Sequence, residues 1–355
     1  MKETILTIDG RLGEGGGQVL RASLSLSMAL GIPFRMVNIR AKRTVGGLKR
    51  QHLTCVQAAK ELCGAKVEGA EMHSTEILFV PGPVKAGERS FSIGTGGSVT
   101  LVFQALLPAL LFGSEPSRIT VTGGTHVPYS PPFEFMRDTL FPWIERLGPR
   151  LRAEMESVGY MDVGGGKVTV TVEPSGKAGT FECGEKGTFL KATAVIYGHN
   201  LPDGVLERET ETLLAHGNEL GLTRENIEWR DKADRNCPPV GSGNMVLINV
   251  RHGDSMTVIG ECGWRGRSAE TVSKQACKGA LEFLHSAAPV EVHLADQLLV
   301  PIALAGGGSL TIQRLSSHAE TCLKVIEAFT GMKADIGKSE GKGVRISLGA
   351  AEVKA

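Results

Sequence analysis

The sequence predicts an α/β fold: three repeated β-α-β-α-β-β units packed through their helices, with a smaller α/β domain inserted in the third. Three observations predict it. Glycine-rich loops precede apolar helix patterns twice in the first third of the chain. Helices that close on a glycine recur at nearly the same spacing. The last such interval, Gly148 to Gly331, is more than twice the one before it.

The elements follow in order. TILTIDG, from Thr4, alternates like a strand, and Gly13-Glu14-Gly15-Gly16-Gly17 then precedes the helical pattern VLRASLSLSMALG. FRMVNIR, from Phe34, is a second strand, and LKRQHLTCVQAAKELCG a second helix ending at Gly64, where glycine suits a left-handed cap. The pattern recurs. Gly94-Thr95-Gly96-Gly97-Ser98 precedes VTLVFQALLPALLFG, RITVTGG from Arg118 is the strand, and SPPFEFMRDTLFPWIERLG closes at Gly148. Near the C-terminus LTIQRLSSH reads as strand, AETCLKVIEAFTG as a helix ending at Gly331, and KADIGKS and GVRISLG as closing strands. The excess length falls in residues 184–276, which have their own grammar: LKATAVIYGH, LERETETLLAHGNELG, MVLINVR and MTVIGECG. Residues 1–183 are therefore expected to form two units and the start of a third, 184–276 the insert, and 277–355 the rest of the third. Each unit would set its helices against one sheet face.

Bulk composition bounds the function. With 355 residues, 41% hydrophobic and a mean hydropathy near zero, the chain is expected to fold as an ordinary soluble protein of two domains. Aromatics are 5%, so no broad base-stacking surface is advertised. The seven cysteines form no C-x-x-C pair, which argues against a zinc site or disulfide framework and for a reducing compartment. The N-terminus carries no signal-peptide pattern, and the longest apolar stretch, 99–112, is broken by Gln104 and Pro108. The expectation is a cytoplasmic protein with no membrane contact and no obligatory protein partner.

Charge is segregated although the net charge is only +1. Between Glu14 and Glu61 there is no acidic residue, but Arg21, Arg35, Arg40, Lys42, Arg43, Lys49, Arg50 and Lys60. Arginine forks onto phosphate oxygens, and glycines let backbone N–H groups approach an anion. A phosphate site is expected. His318 is the candidate nucleophile: Ser317-His318-Ala319-Glu320 has the form of a capping box, with Ser317 as cap and His318 at the first helical position. A neutral imidazole beside an anion-binding helix start can attack phosphorus. It can equally be a surface hydrogen-bond partner, and His52, His126, His199 and His293 compete with it. Glu14 is either a counter-charge among arginines or a ligand for a divalent metal, since Mg²⁺ takes one or two carboxylates plus substrate phosphates. Asp296-Gln297, between a strand-like VEVHL and the helix LLVPIALAG, either caps that helix or holds a nucleotide. Gly164-Gly165-Gly166 reads as a turn or bulge, and Gly306-Gly307-Gly308 as a cap and turn or a loop leaving room for substrate. No G-x-x-x-x-G-K-[ST] is present, which disfavours a P-loop ATPase.

In the stretches IDGRLGEGGGQVLR, IRAKRTVGGLKRQHL, IGTGGSVTLVFQALLPAL, VTGGTHVPYSPPFEF, HLADQLLVPIALAG and SSHAETCLKVIEAF the chain resembles the RNA 3'-terminal phosphate cyclase family, nearly end to end. The resemblance implies that His318 attacks the α-phosphorus of ATP, that AMP passes to an RNA 3'-phosphate, and that the ribose 2'-OH closes a 2',3'-cyclic phosphate. It implies that Glu14 helps hold Mg or Mn, that Arg21, Arg40, Arg43 and Gln51 line the phosphate side, and that Gln104 contacts the nucleotide. Pro131 would pack on adenine, with His293 opposite it where the family usually has Tyr. Leu294, Ala295, Asp296 and Gln297 would complete the nucleotide site. Val158 and Asp162 stand where the family usually has a basic residue and a proline, so a cationic RNA contact is lost there. Two rivals remain: a catalytically silent relative acting in ribosomal RNA processing, and an enolpyruvyl transferase, which shares the repeated unit.

Overall fold

The computed structural model describes residues 5–176, 179–230, 237–339 and 343–349. Thr4 of the first expected strand, residues 231–236 of the expected insert and residues 350–355 of the last expected segment lie outside them. The described residues form an α/β protein with four mixed sheets and eight α-helices.

The chain begins β1 (Leu6–Asp9), α1 (Gly17–Leu30), β2 (Phe34–Val37), α2 (Arg50–Cys63), β3 (Lys66–Glu68) and β4 (Ile77–Val80). The strands pair in the order β1-β2-β4-β3. β1 and β2 are parallel because α1 carries the chain back along the sheet, while β4 runs antiparallel to both neighbours. Next come β5 (Gly87–Ser92), α3 (Val99–Leu106), β6 (Ser117–Gly123), a wide helical turn at Phe135–Leu140 leading into α4 (Phe141–Glu145), β7 (Arg150–Gly159) and β8 (Gly166–Glu173). These strands pair β5-β6-β8-β7, again with the first pair parallel and the others antiparallel.

After β9 (Phe181–Glu182) the chain makes an excursion through β10 (Phe189–His199), α5 (Val205–His216), β11 (Ile227–Arg230), β12 (Pro239–Val240), β13 (Gly243–His252), β14 (Ser255–Cys262) and α6 (Ala269–Leu284). The sheet β11-β10-β13-β14 has an apolar cluster of its own, including Ile196, Leu213, Val246, Ile248 and Phe283. α6 passes unbroken through position 276, the expected end of the insert. Its Val272, Ala276, Cys277, Ala280 and Phe283 all belong to this cluster. β12 instead lengthens the second sheet, with Pro239 and Val240 opposite Val158 and Gly159 of β7. The chain returns as α7 (Val292–Leu304), β15 (Gly308–Ile312), α8 (Ser317–Thr330), β16 (Ala334–Ser339) and β17 (Gly343–Leu348), giving the sheet β9-β15-β17-β16.

α1 is the hub of the main core and packs on α2, α3, α7 and α8. Every residue from Gln18 to Met28 is buried, as expected of a helix surrounded on all sides. Two of its serines bond to carbonyls outside the helix: Ser25 Oγ donates to Ala105 O (2.9 Å) and Ser27 Oγ to Ile32 O (2.6 Å). α1, α2 and α8 end on Gly31, Gly64 and Gly331, each in the left-handed conformation with its N–H bonded to the carbonyl four residues earlier. The expected strand over VEVHL is not present. Glu291 starts α7, its Oε2 accepting from His293 N (2.7 Å) and Leu294 N (3.1 Å), so Asp296 and Gln297 lie inside the helix and cap nothing. No helix among the described residues is long and apolar enough to cross a membrane.

Glu209 of α5 is fully buried, its Oε1 accepting from Asn244 Nδ2 while Oε2 has no partner. Burial pushes its pKa up from 4.5 to about 8. The folded state therefore favours the protonated acid, a contribution that is fully present below 4.5 and lost as pH rises through about 8. Stability in thermal melts is expected to fall across this window, by at most ~1.4 kcal/mol per pH unit from this group. Glu209→Gln should flatten the dependence. An equally steep curve for that variant would contradict the assignment.

Candidate active site

The site forms where α1, α7 and α8 begin. The residue before α1 is Gly16, which offers no capping side chain, and the first turn holds no acid, so the N–H groups there are left for an anion. One turn in, Arg21 is buried; its Nε donates to Gln104 Oε1 (2.7 Å) and its Nη2 to Gln18 Oε1 (2.8 Å). Both partners are neutral amides. Burial lowers the arginine pKa, and no carboxylate touches the guanidinium. A buried cation lacking a contacting counter-charge is costly, and a phosphate supplies what it lacks. Gly17 leaves room beside it: a Cβ there would lie 2.7 Å from Arg21 Nη1 and 2.6 Å from His52 Nε2, so those side chains would have to shift.

His318 sits in the first turn of α8, one position deeper than the sequence suggests. The cap is Ser316, extended at φ −89° and ψ 159°, whose Oγ accepts from Ala319 N (2.9 Å). Ser317 is already helical, so the expected capping box is not formed. His318 Nδ1 lies 3.5 Å from Glu14 Oε1. Glu14 is held in turn by an ion pair with Arg43, and its N–H donates to Thr321 Oγ1 (3.1 Å) of α8. Burial, then Arg21, His293 and Arg43, press the His318 pKa below the usual imidazole value of 6.5, against the opposing pull of Glu14. The ring is thus uncharged at neutral pH, the form a nucleophile needs.

Hydrogen bonds lock the three helix starts together. Gln18 Nε2 donates to Cys322 Sγ (2.8 Å), Cys322 Sγ donates to Asp296 O (3.4 Å), and Ser316 Oγ donates to Asp296 Oδ1. Burial raises the Asp296 pKa to about 7. One cleft of about 610 Å³ opens on this junction, lined by Arg21, Gln104, Pro131, His293, Asp296, Gln297 and His318 together with residues of β14 and α6.

The other expected site residues lie elsewhere. Leu294 and Ala295 are buried in the core, and their N–H groups bond to Glu291. Arg40 is buried with its Nη1 donating to Val45 O (2.8 Å) and Gly47 O (3.0 Å), so it braces its own loop. Gln51 Oε1 accepts from Ser98 N (2.8 Å) and holds the second glycine loop onto α2. Arg43 and Glu14 flank His318 without lining the cleft. Among the rival histidines, burial and nearby cations drive His52 down to about 3, and His126 is enclosed between Thr125 and Glu134. The loop after β7 keeps its turn, with Gly164 and Gly165 at positive φ and Asp162 Oδ2 accepting from Ser242 N (2.9 Å). No group of three or more potential metal ligands occurs among the described residues. A lone carboxylate, Glu14, fits only a cation whose shell substrate oxygens and water complete.

Sequence reasoning missed Gln18, Ser316, Thr321 and Cys322, which set the geometry. Gln18 had a signal: it stands three residues before Arg21 on the same helix face.

A family model described as RNA 3'-terminal phosphate cyclase matches residues 12–336. A protein named RNA 3'-terminal phosphate cyclase from Koribacter versatilis is 44% identical over 339 residues, covering 95% of this chain and 93% of its own. One of the same name from Ectopseudomonas mendocina is 38% identical over 350 residues, covering 98% and 99%. Among solved structures, EPSP synthase from Acinetobacter baumannii aligns at a TM-score of 0.28 and 10% identity, over 97% of this chain and 64% of that one, and nothing follows from so low a likeness. The family model and the curated relatives agree over nearly the whole length, and this chain belongs to the RNA 3'-terminal phosphate cyclase family.

Proposed function

We propose that this protein uses ATP to convert an RNA 3'-phosphate into a 2',3'-cyclic phosphate, through AMP carried on His318. The observation that carries the reading is an uncharged His318 sharing one cleft with Arg21, a buried cation held only by amides. With Nδ1 turned to Glu14, the His318 Nε2 lone pair attacks the α-phosphorus and the bond to pyrophosphate breaks. A terminal phosphate oxygen of the RNA then takes the adenylyl group and frees the imidazole. The adjacent 2'-OH attacks the terminal phosphorus, loses its proton to solvent, and expels AMP. Adenylylation is needed because oxide is a poor leaving group and AMP a good one. Arg21 and the open N–H groups of α1 would hold the phosphates. Pro131 and His293 would enclose the adenine, and Asp296 would orient it through the α7 start. A divalent metal beside Glu14 would offset phosphate charge.

We further propose that the three like-ordered sheets are copies of one β-α-β-α-β-β unit, with an inserted domain that extends from about residue 184 through α6. Cysteines without a C-x-x-C pair suit the cytoplasm.

The test is an RNA whose last ribose lacks the 2'-OH. It should become adenylylated and stall, whereas the normal 3'-phosphate end should cyclise in the presence of ATP. Cyclisation without ATP would contradict the reading. The pH dependence gives a second check. Initial rates of protein adenylylation, quenched in alkali, should hold as pH falls through 6.5 and drop only below it, because the His318 pKa is lowered. An inflection at or above 6.5 would show a ring that is not held neutral by its surroundings.

A further inference from the structure

We propose that Tyr129, backed by Trp264 and Arg267, is a stacking platform at the mouth of the cleft for a nucleobase of the RNA strand upstream of its reacting end. The inference rests on the RNA-end reading above and adds to it where the rest of the strand lies. The chain has three tyrosines; Tyr160 and Tyr197 are buried, but Tyr129 is 91% exposed. Its backbone is at φ 60°, a conformation that a bulky residue adopts only when something holds it there. Its ring lies 5.8 Å from that of Trp264, tilted by 34°. Arg267 sits 4.4 Å from the Trp264 ring and is itself pinned, Nη1 donating to Cys262 O (2.7 Å) and Nη2 to Glu261 Oε2 (2.8 Å). Arg267 and Tyr129 thus both lie against the indole, and the phenol faces water.

All three residues line the cleft that holds His318, and so do Lys278 and Arg314, which supply positive charge for a backbone phosphate. An exposed aromatic beside cations, continuous with a phosphate-chemistry site, matches how proteins hold single strands without reading sequence. The adenine of ATP is the competing occupant. It is disfavoured because the reading above seats adenine between Pro131 and His293 beside the nucleophile, whereas Tyr129 stands almost wholly in solvent.

The experiment measures binding of a fluorescent single-stranded RNA ending in a 3'-phosphate by anisotropy, and of ATP by thermal shift. It uses the full chain and the Tyr129→Ala, Tyr129→Phe and Trp264→Ala variants, with melting curves to verify folding. RNA affinity is expected to fall about tenfold or more in both Ala variants, well beyond any loss for ATP, and to survive in Tyr129→Phe. Equal losses for both ligands, or a larger loss for ATP, would assign the platform to adenine and overturn the proposal. So would unchanged RNA affinity in a folded Tyr129→Ala protein that still labels itself from ATP, which leaves the cyclase reading standing. A wild-type protein that binds no RNA would bring down both.

Discussion

Replacing His318 by Ala is expected to lower cyclisation about ten-thousandfold or more while RNA binding persists. The size follows from the role: loss of a covalent nucleophile removes the pathway rather than weakening it. The fold should tolerate the change, because the ring is partly exposed and the cap of α8 belongs to Ser316. Assays of cyclic-phosphate ends and RNA anisotropy on the same preparation read both quantities. A variant that keeps more than about one hundredth of the activity would point to another nucleophile.

The second large effect is expected at Arg21. Arg21→Ala removes the buried cation that faces the cleft, and removing a charge that stabilises a phosphoryl transition state typically costs about a hundred- to a thousandfold in rate. Two amides, those of Gln18 and Gln104, would also lose a hydrogen-bond donor, so a drop in melting temperature should accompany the loss. Arg21→Lys restores charge without the fork and should recover only a small part of the rate. Rates of protein adenylylation, measured without RNA, separate this from an effect on the strand. An Arg21→Ala protein that labels at the wild-type rate would show that the phosphates bind elsewhere.

Much of this was legible before the fold was seen. Gly64 and Gly331 marked helix ends because a left-handed cap has few other candidates, whereas the helix expected to close on Gly148 stops at Glu145. Of the cations in the acid-free stretch behind the glycine loop, Arg21 lines the cleft and Arg43 pairs with Glu14. What the sequence hid was mostly local competition. Two serines stand before His318, and nothing in the pattern says that Ser316 takes the extended backbone and Ser317 the helical one. VEVHL alternates like a strand, but Glu291 has a carboxylate that can reach the N–H groups of His293 and Leu294, and the helix wins. Arg40 and Gln51 have the chemistry of phosphate ligands, yet tertiary packing turns both onto backbone groups. The boundary expected at Ala276 falls inside α6, whose apolar stripe gives no hint in the sequence of which sheet it covers.

The most direct measurement is to incubate the protein with a divalent metal and ATP radiolabelled at its α-phosphate, digest it, and identify the labelled peptide. The account predicts acid-labile, alkali-stable label on the peptide bearing His318, discharged by RNA ending in a 3'-phosphate and retained in the presence of a 3'-OH end. Label on a different peptide, or none with any divalent metal, would contradict it.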